Sequence, residues 1–70
     1  MITEIGIAAG DIWHYLDKHS SATLDELVKS IGKRRELLLM SLGWLAREGH
    51  VIVENEKNGY RSKLNRPQGL

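Results

Sequence analysis

The sequence predicts an α+β fold in which three helices precede a C-terminal β-hairpin. The first sign is residues 34–48, a stretch of strong helix formers with neither Pro nor a β-branched residue. The second is Gly49, which follows the last residue of the helical period, where a left-handed C′ position favours glycine. The third is a pair of alternating segments, 51–53 and 60–64, separated by the turn-rich residues 54–59. A long helix that leads through a glycine into a hairpin is therefore the centre of the predicted fold.

The long helix is amphipathic. Its apolar face follows the i, i+3, i+4, i+7 spacing of side chains that point in one direction on a helix. That face consists of Leu38, Ser41, Leu42 and Leu45. The opposite side holds Glu36, Met40, Gly43 and Arg47. We expect the first face to be buried and the second to be presented to a macromolecule.

A first helix is expected over residues 2–19. Its apolar face is formed by Ile5, Ala8, Ala9, Ile12 and Leu16. Residues 20–22 break the helical pattern, and a short extended piece near residues 21–23 would supply a third strand.

A second helix is expected from Leu24 to about Ser30. Thr23 and Glu26 have the spacing of a capping box, in which each side chain accepts a hydrogen bond from the other residue's free backbone N–H. Gly32 ends this helix, and the long helix starts one or two residues later. Two helices joined by a short turn that contains Gly form a helix-turn-helix arrangement.

The turn of the hairpin is expected at Asn58-Gly59, because both residues tolerate positive φ. Turn-forming and charged residues extend on the N-terminal side of this pair as far as Glu54. We therefore expect a loop longer than two residues.

Size and composition limit the function. Seventy residues form one domain at most, which we place at residues 1–64, followed by a flexible C-terminal tail at residues 65–70. The chain has no Cys, so disulfides and thiolate metal sites are excluded. No apolar stretch approaches the ~20 residues that span a bilayer, and no signal peptide is visible, so we expect the cytoplasm. The net charge is +1, and DNA binding must therefore rest on local clusters of basic residues.

The residue types that can carry catalysis or bind metals form no known catalytic or metal-binding pattern in this sequence. The three His residues include no pair four positions apart, and no carboxylate pattern completes a metal site. His19 beside Ser20 and Ser21 lacks the third group that would orient a catalytic arrangement. No Gly-rich loop has phosphate-binding spacing, and a chain this small leaves little room for a ligand pocket. We therefore expect no enzyme activity, metal, cofactor or small-molecule ligand.

The junction between the long helix and the hairpin has a recurrent frame: Leu45, three residues, Gly49, one residue and Val51. In this frame the chain resembles the winged helix-turn-helix superfamily. The resemblance covers residues 2–64. It implies that the third helix enters the major groove of DNA, while the hairpin, called the wing, contacts the backbone or the minor groove.

A narrower resemblance rests on three short segments. They are Leu-Gly-Trp-Leu-Ala-Arg-Glu at 42–48, Glu-Ile-Gly at 4–6 and Asp-Ile-Trp at 11–13. With these segments the chain resembles a family of small free-standing winged-helix proteins of bacteria and archaea to which no function is assigned.

A DNA-binding role, serving transcription regulation, depends on the charged residues of the third helix and the wing. Long polar side chains read base edges in the major groove, and cations contact phosphates. The candidates on the helix are Lys33, Arg34, Arg35, Glu36 and Arg47. The candidates on the wing are Lys57, Arg61 and Lys63, which Arg66 could join from the tail. A homodimer would repeat a weak contact with double-stranded DNA at two half-sites.

An alternative role follows from the apolar excess of the third helix. The candidate interface residues are Leu37, Leu39, Met40 and Trp44. Apolar side chains on the exposed side of a recognition helix are more typical of a surface that binds protein. The domain would then be an interaction or dimerisation module on a winged-helix scaffold. Two positions are open for Trp44: against the first helix near Trp13 or Tyr15, or in a dimer contact.

Overall fold

The computed structural model describes residues 1–66. In chain order its elements are α1 (Ile2–His19), β1 (Ser21–Thr23), α2 (Leu24–Ile31), α3 (Arg35–Arg47), β2 (Val51–Glu56) and β3 (Gly59–Leu64). This order confirms the predicted α+β winged-helix architecture, including the third strand near residues 21–23. The remainder of the predicted tail, residues 67–70, lies outside the described part of the chain. None of the helices within residues 1–66 is long and apolar enough to cross a membrane.

The start of α2 is fixed by the capping box that the sequence predicts. The Thr23 hydroxyl accepts a hydrogen bond from the backbone N–H of Glu26 at 3.1 Å, and the Glu26 carboxylate accepts one from the backbone N–H of Thr23 at 2.8 Å. The second bond holds the pKa of Glu26 below its ordinary value of 4.5. Gly32 ends the helix in the left-handed region at φ 78°, and its N–H donates to the carbonyl of Val28.

α3 is shorter than predicted and comprises 13 residues. It begins after Arg34, whose side chain makes no capping hydrogen bond. At the other end Gly49 takes φ 83°, as expected for a left-handed C′ position. The backbone N–H of His50 donates to the carbonyl of Leu45 at 2.9 Å, and the N–H of Gly49 donates to the carbonyl of Ala46 at 3.1 Å, which are the two hydrogen bonds of a Schellman motif. This ending turns the chain directly into β2.

β3 is the central strand of a three-stranded antiparallel sheet with the order β1-β3-β2. Glu56 pairs with Gly59, so only Lys57 and Asn58 connect β2 to β3. The expectation of a longer loop is therefore wrong, because polar residues such as Glu54 belong to the paired part of β2. Positive φ falls on Gly59, at 149°, and on neither of the two connecting residues.

The core lies where the three helices meet the inner face of the sheet. Most of its members are the apolar residues that the helical spacing predicts. The buried apolar residues are Ala8, Ala9, Ile12, Leu16, Ala22, Leu24, Leu27, Leu37, Leu38, Leu42, Leu45 and Val51.

Two of the side chains buried within residues 1–66 are polar, and both have hydrogen-bond partners. The Ser41 hydroxyl donates to the carbonyl of Leu37 at 2.8 Å, one turn earlier in α3. The Ser62 hydroxyl donates to the carbonyl of Ala22 at 3.4 Å and so links β3 to β1. Satisfying these hydroxyls removes most of the free-energy cost of burying them.

The end of the described chain is held against the rest of the domain. Asn65 donates from its backbone to the carbonyl of His50 at 2.9 Å and from its side-chain amide to the carbonyl of Gly49 at 3.0 Å. Arg66 pairs with Asp17 on α1. Residues 65 and 66 thus continue the hydrogen-bonded domain past residue 64.

Candidate interaction surfaces

α1 and α3 pack side by side and run in opposite directions. At one end Lys33 Nζ, just before α3, lies 3.7 Å from Asp11 Oδ2 on α1. In the middle of α3, the Ser41 hydroxyl lies 3.3 Å from the carbonyl oxygen of Ile5. Towards the far end, Trp44 lines a pocket with the first residues of α1. α1 thus covers one flank of α3 and leaves its outward side open.

We define the outward face of α3 as Glu36, Leu39, Met40, Gly43, Trp44 and Arg47. All of these residues are exposed. The exposed fraction is 42% for Leu39, 42% for Met40 and 48% for Trp44. Glu36 lies in the first turn of the helix and Arg47 in the last. The outward face of α3 is therefore apolar in the middle and charged at both ends.

Leu37 departs from the expectation that it belongs to an interface. It is only 7% exposed and is a member of the core. Leu37 lies about 100° from Leu38 around the helix, on the same side as Ser41, whose hydroxyl approaches α1. The flank that α1 covers therefore includes Leu37, whereas the other three predicted interface residues remain on the outward face of α3.

Trp44 packs against the first half of α1 rather than near Trp13 or Tyr15 in the second half. Its indole borders an apolar pocket of about 370 Å³. The pocket is lined by Ile2, Ile5, Gly6 and Trp44. The centroid of the indole also lies 6.3 Å from that of the His50 ring. About half of the Trp44 surface stays exposed, so these contacts leave its burial incomplete.

Ile2 is an exposed apolar residue that the sequence does not mark as part of a surface. It is 87% exposed and borders the pocket beside Trp44. The available signal is its spacing from Ile5 and Gly6, because residues three and four apart share one side of a helix. Ile2 extends the apolar surface of α3 across to α1.

Gly43 has no reason within the described chain to lack a side chain. A Cβ placed there would meet no other residue within 4 Å among residues 1–66, and the φ of Gly43 is not positive. Glycine in a helix interior costs about 0.8–1.0 kcal/mol relative to alanine. Gly6, at the pocket beside Trp44, is equally open. Neither glycine is explained by packing between α1 and α3.

Four of the basic residues predicted to bind DNA are paired with carboxylates, including Arg66, which pairs with Asp17 as described above. Arg35 Nη1 lies 2.5 Å from Asp25 Oδ1 on α2, and Arg61 Nε lies 2.6 Å from Glu56 Oε2 on the neighbouring strand. The hydrogen bond with Glu56 raises the pKa of Arg61 above its ordinary value. Lys33 is paired on α1, as described above. The positive charge near the start of α3 is therefore largely compensated.

The other basic candidates pair with no carboxylate among residues 1–66. They are Arg34, Arg47, Lys57 and Lys63. Arg34 and Arg47 stand at opposite ends of α3, about 20 Å apart along its axis. Lys57 lies at the tip of the hairpin, whereas Lys63 pairs across to both neighbouring strands nearer its base. These cations are spread over the domain rather than gathered in one patch.

A cleft between α2, the start of α3 and the tip of the hairpin brings one helix candidate and one wing candidate together. Its volume is about 200 Å³, and both Arg35 and Lys57 line it. Asp25 and Glu56 line the same cleft. Because opposite charges share this small space, the cleft lacks the excess of positive charge that phosphate binding requires.

The helix-turn-helix formed by α2 and α3, followed directly by the β2–β3 hairpin, defines a winged helix-turn-helix domain. The chain belongs to the family described as "Winged helix-turn-helix domain (DUF2582)", whose model matches residues 1–63.

Two similar proteins agree with this assignment. The uncharacterized protein MJ1608 of Methanocaldococcus jannaschii is 30% identical over 63 residues, which cover 87% of this chain and 90% of that protein. The solution NMR structure of protein BT2368 from Bacteroides thetaiotaomicron has a TM-score of 0.76 and 27% identity, and covers 89% of this chain and 76% of that one. One relative is archaeal and one bacterial, which confirms the resemblance to small winged-helix proteins of unassigned function.

Proposed function

We propose that this domain is a protein-binding module that uses the outward face of α3. The observation that supports the proposal is the exposure of Leu39, Met40 and Trp44 at the position where a groove-reading helix carries hydrogen-bonding side chains. The fold is compatible with nucleic-acid binding, but the middle of this helix offers base edges one conventional hydrogen-bonding group, the indole N–H of Trp44. No group of three His, Cys, Asp or Glu side chains within residues 1–66 is placed to hold a metal ion.

The composition of the outward face of α3 matches the anatomy of a protein interface. Interface centres are enriched in aromatic residues and Met, and charged residues are placed at the rim. Fully burying a large apolar side chain contributes about 1.5–3 kcal/mol. Leu39, Met40 and Trp44 are already about half buried, so covering the rest would contribute roughly half of that for each. Three such contributions amount to about 2–4.5 kcal/mol, and the matching surface of the partner must supply the rest, because association itself costs about 4–15 kcal/mol.

Site-specific cross-linking tests the proposal. A photoreactive amino acid is placed at Met40 and, as a matched control, at Ile52 on the sheet, whose exposed fraction of 39% is close to that of Met40. We expect irradiation of cells to give a discrete protein adduct from position 40 and none from position 52. The adduct should disappear when Leu39→Lys places a charge in the middle of the face. No adduct from position 40, or equal adducts from both positions, would contradict the proposal.

A second candidate function is the binding of double-stranded DNA, with transcription regulation as its purpose. Its support is the winged-helix fold together with four cations, at the ends of α3 and on the wing, that lack carboxylate partners among residues 1–66. In this candidate Arg34, Arg47, Lys57 and Lys63 contact the phosphate backbone, and each contact adds to the salt dependence of binding.

Titration of labelled duplex DNA at low and high salt tests the second candidate. We expect Lys57→Ala to weaken binding on every sequence and to lower the slope of log K against log salt by about 1. Lys29→Ala, on α2, is the control and should leave the slope unchanged. Absence of binding at about 50 mM salt would remove this candidate, because electrostatic contacts are strongest there.

A further inference from the structure

The charges at the two ends of the outward face of α3 lie on one line along the helix. Glu36 and Arg47 are 11 residues apart, which is about three turns and about 16 Å of helix axis. Met40 and Gly43 lie between them, each equally far from the midpoint of the line. The face thus has an acidic end, an apolar centre and a basic end.

Such a face is complementary to itself in one orientation only. When two α3 helices lie antiparallel about a two-fold axis at the midpoint, Glu36 of each copy faces Arg47 of the other, and two opposite-charge contacts form. A parallel pair would instead set Glu36 against Glu36 and Arg47 against Arg47. Like charges in contact cost free energy and suppress the wrong arrangement. The charges therefore select an antiparallel pair.

The centre of the face suits the close approach that this arrangement requires. Gly43 has no side chain and meets no other residue within 4 Å of its Cβ position, so the backbone of a second helix can come near. Met40 of each copy lies opposite Gly43 of the other copy, close to the axis. Leu39 of each copy lies opposite Trp44 of the other copy, one such pair on each side of the axis, as an isologous contact requires. The free-energy cost of having glycine inside α3 is offset only when the backbone of a second helix packs against Gly43.

We propose that the partner of the outward face of α3 is a second copy of this chain, packed antiparallel with Glu36–Arg47 pairs at both ends. This inference rests on the proposed function and names the partner of the same surface. The two copies form an isologous dimer through α3, and both wings remain outside the contact.

Charge reversal tests the pairing directly. Glu36→Arg places like charges opposite each other at both ends of the interface, and Arg47→Glu does the same with the other sign. We expect either single substitution to raise the dimer dissociation constant about tenfold or more, measured by sedimentation equilibrium from micromolar to millimolar protein. The double variant Glu36→Arg/Arg47→Glu restores opposite charges at both ends, and its dissociation constant should return to within about threefold of the wild type.

A matched control separates the specific contact from a change in overall charge. Lys29→Glu on α2 changes the net charge as much as Arg47→Glu does, and we expect it to leave the dissociation constant unchanged. Circular dichroism of each variant establishes that it is folded. A wild-type protein that stays monomeric at millimolar concentration, or a folded double variant that dimerises no better than the single ones, would overturn the antiparallel dimer.

The failure of this inference can be told apart from the failure of the proposed function. Photo-cross-linking at position 40 should give an adduct of twice the mass of the chain when the partner is a second copy. An adduct with a different protein, from a chain that is monomeric alone, would remove the dimer and leave protein binding in place. No adduct of any kind would remove both.

Discussion

The inward and outward sides of α3 are built from similar residues and end in opposite surroundings. Leu38 is fully buried, whereas its neighbour Leu39 is 42% exposed, although the two side chains are identical. About 100° of rotation separates them, which is enough to move a side chain from the core to the surface. The comparison shows that the phase of the helix decides where an apolar residue goes, so apolar content alone does not identify a core.

The polar groups of α3 also differ between its inward and outward sides. On the inward side the Ser41 hydroxyl is buried and donates to a carbonyl in its own helix. On the outward side Glu36 and Arg47 are exposed and pair with no opposite charge among residues 1–66. The buried hydroxyl of the inward side is therefore satisfied within one chain, whereas the two charges of the outward side are exposed.

The largest predicted effect contrasts the buried Leu38 with the exposed Leu39. We expect Leu38→Ala to lower the free energy of unfolding by about 2–5 kcal/mol, because it leaves a cavity in a core that cannot fully collapse. Leu39→Ala should cost less than about 1 kcal/mol in the monomer, since water already reaches that side chain. Denaturant titration of both variants at low micromolar concentration measures the difference. Equal losses of stability would mean that Leu38 and Leu39 do not lie on the buried and the exposed side of α3 as described.

A second prediction contrasts two glycines, one inside α3 and one just beyond its end. Gly49 has φ 83°, so Gly49→Ala forces a side chain into the left-handed region and should destabilise the fold by about 1–2 kcal/mol. Gly43 is helical and open, so Gly43→Ala should stabilise the monomer by about 0.5–1 kcal/mol. Thermal unfolding of dilute protein gives both signs. At high concentration Gly43→Ala should also weaken dimerisation, whereas loss of stability in the dilute monomer would show that the position is not open.

The sequence predicts the inward side of α3 well and the outward side only in part. Helical spacing alone identifies Leu38 and Ser41 as buried. It does not place α1, however, and the burial of Leu37 depends on which flank α1 covers. The same packing of α1, which helical spacing does not reveal, puts Trp44 against the first residues of α1 instead of near Tyr15.

Charge patterns fail for a related reason. Lys33 and Arg35 look like a basic cluster in the sequence, but each meets a carboxylate that folding brings from an earlier helix, Asp11 on α1 and Asp25 on α2. Capping, by contrast, depends on residues that are close in sequence. The capping box of Thr23 and Glu26 is therefore predicted correctly from their separation of three positions. Features that depend on neighbours in sequence are predictable, and those that depend on partners in space are not.

A third prediction concerns the polar group on the inward side of α3. Ser41→Ala removes the hydroxyl that donates to the carbonyl of Leu37 at 2.8 Å and lies 3.3 Å from that of Ile5. We expect the free energy of unfolding to fall by about 1 kcal/mol, the typical net value of one buried hydrogen bond. Ser30→Ala, at an exposed position on α2, is the control and should change stability less. A stabilised Ser41→Ala variant would show that the hydroxyl acts only to bend or weaken the helix.

The smallest predicted effect extends the comparison to the two helices of the helix-turn-helix. α2 starts with a reciprocal side-chain cap, whereas α3 starts after Arg34 without one, and the cap of α2 should respond to acid. The backbone N–H of Thr23 stabilises the ionised carboxylate of Glu26 and lowers its pKa from 4.5 in the folded state. This contribution is therefore fully present above the ordinary pKa and is lost as the pH falls through the lowered folded value.

Glu26→Gln isolates that contribution, because glutamine keeps an acceptor for the Thr23 N–H and has no proton to gain. We expect the wild type to be more stable than the variant at neutral pH and the difference to shrink as the pH falls below 4.5. Urea unfolding of both proteins at several pH values from about pH 7 to about pH 3 measures it, and subtraction removes the titration of the other carboxylates. A difference that stayed constant over this range would mean that the carboxylate charge adds nothing to the cap. In that case the two helix starts would differ only in hydrogen bonding.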